Sequence, residues 1–206
     1  MFCDASASLY EFLKDIGRDM NDCGERTPFV RFLELASRGG SPNRPRAIEV
    51  NRPYLIVHLN EMTQSDFELL RRSKPNFQIV HCPRSRTYFG HSPFQFEKLR
   101  QLGFNICLGT DSLASNDDLS LFAEMRAFQK EFPNAEAEEI LKMVTVNAAR
   151  ALGQENTLGK IRSGFLADLV AVPCKTSTSA FEEIVAFDQP VNWSMIGDEI
   201  QINPSP

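Results

Sequence analysis

The sequence lacks the features that mark several large classes of protein. It contains no long block of Lys or Arg and its formal net charge is −5, so it lacks the basic surface of a nucleic-acid-binding protein. No apolar run approaches the ~20 residues that a membrane-spanning helix needs. Neither a Gly-x-Gly-x-x-Gly motif nor a P-loop occurs, which argues against a nucleotide-binding α/β domain. We therefore expect neither nucleic acid nor a membrane as a partner.

The cysteines are scattered and odd in number, and histidine is scarce. No two of the five cysteines form a Cys-x-x-Cys pair, which argues against a zinc knuckle and a disulfide framework. Residues 1–4 lack the basic start and long apolar core of a signal peptide. Together these observations predict a protein of the reducing cytoplasm. Only three histidines occur, so their placement carries more information than their number.

What the sequence does contain is a repeated strand–helix order. Its 206 residues, 42% hydrophobic and 24% charged, have the composition of an ordinary globular domain. Short apolar runs predict strands at residues 54–57, 77–80 and 104–108. Apolar residues at helical spacing predict helices at residues 6–36, 63–73, 94–102, 119–130 and 135–152. This alternation predicts an α/β fold with a parallel sheet covered by helices.

Each predicted strand ends in a residue that can bind a metal or carry a proton: His58, His81 and Asp111. The carboxyl ends of parallel strands meet at one edge, and α/β barrels place their chemistry there. A structural alternative exists for each residue. His58 can be a core histidine, His81 can terminate a strand, and Asp111 can cap a helix. Their common position at three strand ends favours the functional interpretation.

Histidine and aspartate together suit zinc or iron, and such an ion lowers the pKa of a bound water to about 7. Water activated in this way attacks an amide, amidine or ring carbon, which gives hydrolysis or deamination. Arg84 is a candidate for binding a substrate anion, although surface arginines are common. Glu61, three residues after His58, is either an acid–base group or a solvated loop carboxylate.

The C-terminal region has a different pattern. Residues 158–172 predict a short strand, a turn at Ser163-Gly164 and a strongly apolar strand, which would pack as a small β element. The last ~30 residues are weakly patterned, and Trp193 and Ile196 are their only obvious anchors. We therefore expect this region to lie outside the strand–helix part of the chain.

Four segments together resemble the amidohydrolase superfamily. They are His58-Leu59-Asn60, His81-Cys82-Pro83-Arg84-Ser85, the run 108–116 that contains Gly-Thr-Asp-Ser, and the run 147–153. Within the superfamily, the chain is most similar to the metal-dependent deaminases and chlorohydrolases of nucleoside- or triazine-type rings. That branch includes the aminodeoxyfutalosine and S-adenosylhomocysteine deaminases. The resemblance extends over residues 50–172.

The resemblance implies a metal-bearing TIM-type (β/α)₈ barrel. This chain would hold strands six to eight in residues 1–155 and a segment of a small β-sandwich in residues 156–206. Asp111 is implied to be a metal ligand and a proton shuttle for the attacking water, and His58 to orient the substrate. His81 and Arg84 are then candidate substrate-binding residues. The implied cofactor is a divalent metal, zinc in preference to iron, and the implied substrate is a small molecule.

Several ligands of that branch have no counterpart here. The sequence contains no His-x-His pair, and residues 2–5 read Phe-Cys-Asp-Ala where a histidine and a glutamate are expected. A complete barrel typically needs ~250 residues. We therefore expect a truncated or split C-terminal half that is inactive alone and needs an N-terminal half or a homo-oligomer partner. The alternative is a degenerate, non-catalytic relative that serves as a binding or oligomerisation module.

Overall fold

The computed structural model of the chain describes residues 15–17, 30, 33 and 54–202. The chain divides into two compact units, Met1–Tyr54 with Met62–Asn76 and Leu55–Glu61 with Phe77–Pro206. The helices predicted at residues 6–36 lie outside the described residues, apart from isolated helical positions.

In the first unit, the segment after residue 62 forms helix α1 (Gln64–Ser73). Thr63 begins this helix with a capping box: its side chain accepts a hydrogen bond from the Asp66 amide, and the Asp66 carboxylate accepts one from the Thr63 amide. The helix ends at Lys74, which adopts the left-handed conformation with φ +40°. The helix predicted at residues 63–73 is confirmed.

Three short strands form the sheet that positions the site. Their order in the sheet is β1 (Tyr54–Val57), β2 (Phe77–His81) and β3 (Ile106–Leu108). β2 and β3 are parallel, with Ile79 opposite Ile106 and His81 opposite Leu108. All of β3 and most of β2 is buried, which explains why apolar residues occur on both faces of these strands. The three predicted strands and the α/β class are confirmed.

The region between β2 and the C-terminal sheet is helical. Its helices are α2 (Pro83–Phe89), α3 (Phe96–Gln101), α4 (Leu121–Glu131), α5 (Ala137–Val144) and α6 (Val146–Ala151). The predictions at 94–102 and 119–130 are confirmed. The single helix predicted at 135–152 is wrong, because Thr145 at φ −120° and ψ −95° separates α5 from α6. No helix in the described part of the chain is both long and apolar enough to cross a bilayer.

Sequence patterns do not predict α2, because it is short and carries no apolar stripe at helical spacing. Pro83 at its first position is the one local signal for a helix start. Around it, α4 and α5 pack on β3 and on each other. The largest fully buried side chains of this unit include Phe96, Phe128, Ile79, Met125, Ile140 and Met143.

The C-terminal region forms a second, antiparallel sheet in the order β4 (Leu169–Ala171), β5 (Trp193–Ile196) and β6 (Glu199–Ile202), with helix α7 (Ala180–Ala186) between β4 and β5. The strand predicted from Leu158 is wrong, since residues 158–168 form turns and irregular backbone. The apolar strand predicted after it is confirmed over β4. Gly197 and Asp198 join β5 to β6, both at positive φ as a two-residue hairpin turn requires.

Candidate active site

His58 and Asp111 come together at one edge of the first sheet. The ladder of hydrogen bonds continues just past the strands, because the His58 amide donates to Val80 and the Gly109 amide donates to His81 at 2.8 and 2.9 Å. Both segments are thereby held to β2. The Nε2 atom of His58 lies 3.7 Å from Oδ2 of Asp111. The structure therefore brings together two of the three predicted strand-end residues.

Both residues have an unusual backbone conformation. The φ angle is +75° at His58, +49° at Leu59 and +59° at Asp111. Histidine and aspartate tolerate the left-handed region better than most residues, although it still costs energy, about 1 kcal/mol or more per residue. Strain of this kind persists where the surrounding structure enforces it. Its presence at both strand ends supports a functional interpretation of this edge.

Two hydroxyl groups hold the Asp111 carboxylate. Its Oδ2 atom accepts hydrogen bonds from the Ser85 hydroxyl at 2.7 Å and from the Ser115 hydroxyl at 3.1 Å. The Ser85 hydrogen bond is the main reason why the pKa of Asp111 lies below its usual value. Asp111 therefore stays ionised at neutral pH, the state in which a carboxylate binds a metal or accepts a proton.

The His58 ring is partly exposed, with 37% of its side-chain surface accessible. Its Nε2 atom faces Asp111, whereas its Nδ1 atom is buried and lacks a hydrogen-bond partner among the described residues. The ring thus combines an accessible edge with a position fixed beside a carboxylate. This geometry suits a group that contacts a small molecule at the sheet edge.

His81 occupies a different environment from His58. Its side chain is fully buried and stacks on Phe94 with 4.0 Å between ring centroids, while Phe128 contacts it edge-on. Its Nε2 atom lies 3.6 Å from the Glu131 carboxylate, which also pairs with Arg86. Burial is the main cause of a lowered pKa for His81. The predicted contact of His81 with substrate stays a prediction.

Arg84 is already paired with carboxylates. Its guanidinium lies 2.6 Å from Asp118 and 3.4 Å from Asp117, and 19% of its side chain is exposed. Glu124 lies beneath it at 3.9 Å. These charges offset that of Arg84, so a substrate anion would have to compete with them. The substrate-binding role of Arg84 also stays a prediction.

Glu124 is a fully buried carboxylate on α4. Its two oxygens accept hydrogen bonds from the Arg84 amide at 3.1 Å and from the Asn116 side chain at 2.7 Å. The same Asn116 amide group donates to the Thr110 carbonyl at 2.8 Å. Burial raises the pKa of Glu124.

Glu61 lies in the loop that follows β1. Its carboxylate accepts hydrogen bonds from the Ser92 amide at 2.9 Å and the Ser92 hydroxyl at 2.8 Å. It is 3.7 Å from His91 and its side chain is 63% exposed. These contacts tie two loops together, and they favour the interpretation of Glu61 as a solvated loop carboxylate.

The donor set for a metal ion is incomplete within the described residues. No three His, Cys, Asp or Glu side chains among them lie close enough to hold an ion together. A catalytic zinc usually takes three protein ligands. Asp111 and His58 place an ionised carboxylate and an imidazole at the same edge of the sheet, so they fit part of the ligand set of a metal ion.

Sequence reasoning did not assign a role to Ser85, Ser115, Asn116, Glu124 or Glu131. Ser85 and Ser115 lie within the motifs that carry the family resemblance, so those motifs were the signal that could have identified both serines as residues of the site. Nothing local marks the two glutamates, which lie on a helix whose sequence has an ordinary pattern of charges. Their contacts depend on how α4 packs on α2 and on the loop after β3.

Residues 18–192 match the sequence model of the amidohydrolase family. Because the match spans most of the chain, this protein belongs to the amidohydrolase family. The superfamily expected from the strand-end motifs is therefore confirmed.

Individual relatives are deaminases. A 5-methylthioadenosine/S-adenosylhomocysteine deaminase of Pyrococcus furiosus is 42% identical over 115 residues, which make up 52% of this chain and 27% of that protein. The structure of Helicobacter pylori aminofutalosine deaminase matches with a TM-score of 0.61 at 28% identity, covering 72% of this chain and 38% of that one. An adenosine deaminase of Xanthomonas campestris with bound zinc matches with a TM-score of 0.59 at 26% identity, covering 72% and 36%. This chain thus spans well under half the length of these relatives.

Proposed function

We propose that this chain carries part of the active site of a metal-dependent hydrolase that acts on carbon–nitrogen bonds other than peptide bonds. The observation that carries the proposal is the 3.7 Å approach of His58 Nε2 to Asp111 Oδ2 at the sheet edge. Family membership and deaminase relatives support the reaction class. The proposed substrate is a small molecule with an aminated purine-like or triazine-like ring, or a chlorinated ring in a chlorohydrolase.

The two residues have separate roles in this proposal. Asp111 would help to hold a divalent metal, zinc in preference to iron, and that ion would supply Lewis-acid activation of the attacking water. The Ser85 hydroxyl keeps Asp111 ionised, so its carboxylate can accept a proton from the attacking water at a carboxylate oxygen. His58 presents Nε2 beside that carboxylate and orients the substrate. The water oxygen adds to the ring carbon, Asp111 passes the proton it accepted to the amino group, and the carbon–nitrogen bond breaks so that ammonia leaves.

Further donors must join Asp111 and His58 to complete the site. We propose that β1, β2 and β3 are strands six to eight of a (β/α)₈ barrel and that the C-terminal sheet is a segment of a small β-sandwich. The chain then acts as a split or truncated half, inactive alone, which an N-terminal half or another copy completes in the cytoplasm. The exposure of two apolar side chains on β1, Leu55 at 45% and Val57 at 46%, supports this incompleteness.

One observation favours a second candidate function. The described residues bring together fewer metal-binding side chains than a catalytic ion requires. A non-catalytic relative that serves as a binding or oligomerisation module would need no complete donor set. Activity of a completed site distinguishes the two candidates.

Zinc affinity of the chain tests the metal role of Asp111, measured by competition with a chromophoric chelator. We expect weak binding by the unaltered chain and a loss of about tenfold or more in Asp111→Ala. Asp198→Ala is the matched control, because Asp198 also has a positive φ, +67°, but lies in the exposed turn between β5 and β6. Equal affinities in all three proteins would contradict the proposal.

The reaction class needs a longer protein that supplies the other donors. We expect it to release ammonia from an aminated purine nucleoside and to lose this activity in Asp111→Asn. A longer protein that binds zinc but releases no ammonia from aminated purine or triazine rings would favour the binding module instead.

A further inference from the structure

We propose that Glu124 is a positioning residue: its buried carboxylate joins the loop after β3, residues 109–118, to the start of α2 and thereby sets the orientation of Asp111. The inference rests on the proposed function, because it concerns the residue that we expect to bind the metal. Glu124 itself does not touch the reacting groups.

Two hydroxyl groups from different segments of the chain hold the Asp111 carboxylate. One belongs to Ser85 at the start of α2, and the other belongs to Ser115 in the loop after β3. Glu124 accepts hydrogen bonds from the Arg84 amide and from the Asn116 side chain. Each is the immediate neighbour in sequence of one of those serines. A single buried carboxylate therefore holds both segments that hold Asp111.

The loop is also closed from the inside. The Asn116 amide group that donates to Glu124 also donates to the Thr110 carbonyl at 2.8 Å. Thr110 and Asn116 lie on either side of Asp111, so this bridge fixes the base of the loop. Asp111 has a φ of +59°, a conformation that persists only when its surroundings enforce it. Glu124 contributes to this constraint, because its carboxylate on α4 accepts a hydrogen bond from the Asn116 side chain.

Glutamate suits this position better than glutamine. Both Glu124 oxygens accept from N–H donors, and its side chain is inaccessible to solvent. An amide in the same place has one acceptor and one donor, so it would face either Arg84 or Asn116 with a second N–H group. One buried donor would then lose its partner, which is costly away from water.

Hydrogen exchange of the whole chain tests the proposal without any need for activity. In Glu124→Gln we expect exchange in residues 110–118 to rise about tenfold or more relative to β2 and β3. Ile140→Val is the matched control, because it removes one buried methyl group from α5 and lowers stability without touching the network. If Glu124→Gln raises exchange uniformly, as a general loss of stability does, the proposal is wrong.

Two further variants keep the test decisive if Glu124→Gln folds poorly. Asn116→Ala removes the hydrogen bonds of Asn116 to Glu124 and to the Thr110 carbonyl but keeps the one from the Arg84 amide to Glu124. We therefore expect faster exchange at residues 110–118 with little change at residues 82–87. Adding Asn116→Asp to Glu124→Gln lets the new amide donate to the new carboxylate while its oxygen accepts from Arg84. We expect partial recovery, because the contact with Thr110 remains broken. No local effect from Asn116→Ala, or no recovery in the pair, would overturn the proposal.

Zinc titration separates this inference from the proposed function. If the unaltered chain binds zinc, we expect Glu124→Gln to weaken binding about tenfold and Ile140→Val to leave it unchanged. Equal zinc affinity in Glu124→Gln would overturn the link to Asp111. If the unaltered chain binds no zinc, the metal role of Asp111 in this chain fails, and hydrogen exchange alone decides whether Glu124 positions the loop.

Discussion

The Nε2 atom of His58 lies 3.7 Å from the Oδ2 atom of Asp111, although the two residues follow different strands with β2 between them. The same Oδ2 atom accepts two serine hydroxyl groups, so the carboxylate is fixed from the side of α2 and from its own loop. This arrangement gives an ionised acid a defined direction.

The two serines should differ in their contribution to stability. Ser85 is fully buried and lies 2.7 Å from Asp111, whereas the Ser115 contact is longer at 3.1 Å. We expect Ser85→Ala to lower the free energy of unfolding by about 1–2 kcal/mol and Ser115→Ala to lower it less. Urea unfolding at neutral pH measures both. Ser73→Ala at an exposed position is the control, and a larger loss in Ser115→Ala would contradict the expected order.

His81 should make the chain sensitive to mild acid. Its pKa in the folded state is lowered by burial, with Glu131 opposing this shift and Arg86 and His58 adding to it. The unfolded state therefore takes up a proton first as pH falls below about 6.5, and stability is lost as pH moves down toward the folded pKa. His81→Phe preserves the ring stack on Phe94 but removes the titrating group. We therefore expect its free energy of unfolding to change less between pH 7 and pH 5 than that of the unaltered chain.

Urea unfolding across that pH range measures the effect. The exposed His91→Gln is the control, and it should keep the pH dependence of the unaltered chain. An unchanged slope in His81→Phe would show that another group is responsible.

Gly109 should be intolerant of a side chain for purely steric reasons. A Cβ atom at this position would lie 2.8 Å from Cγ1 of Val80. Valine is stiff at χ1, so it cannot turn away easily. We expect Gly109→Ala to lower the free energy of unfolding by about 1–3 kcal/mol.

Val80→Ala removes the clashing methyl group and supplies the control for Gly109. In the double variant we expect most of the cost of Gly109→Ala to disappear, which appears as a favourable coupling energy in a double-mutant cycle. If the losses in the free energy of unfolding of the two single variants simply add in the double variant, the contact between positions 80 and 109 is not what destabilises Gly109→Ala.

Lys74 offers a stabilising substitution far from the proposed chemistry. It ends α1 in the left-handed conformation at φ +40°, where glycine avoids the steric cost of Cβ. We expect Lys74→Gly to raise the free energy of unfolding by about 0.5–1 kcal/mol. Lys98→Gly within α3 is the matched control and should lower it by about 1 kcal/mol. A loss of stability in Lys74→Gly would contradict the capping interpretation.

Local sequence determined the elements that depend on neighbouring residues. Short apolar runs marked β1, β2 and β3. Those of β2 and β3 belong to strands that are buried almost throughout, where alternation of apolar and polar residues is not needed. The start of α1 also depends on neighbouring residues, because Thr63 and Asp66 cap it through reciprocal hydrogen bonds. The positions of His58 and Asp111 at strand ends also followed from the sequence, since parallel strands direct their carboxyl ends to one edge.

Tertiary structure decided what depends on packing between distant segments. The environment of His81 among Phe94, Phe128 and Glu131 arises because α4 packs against the segment after β2. The hairpin of β5 and β6 forms from a weakly patterned sequence, since cross-strand pairing supplies the order that the local pattern lacks. Glu124 reaches the start of α2 and the loop after β3 only in the folded chain. Sequence spacing therefore located the residues of the candidate site, whereas packing decided which side chains hold them.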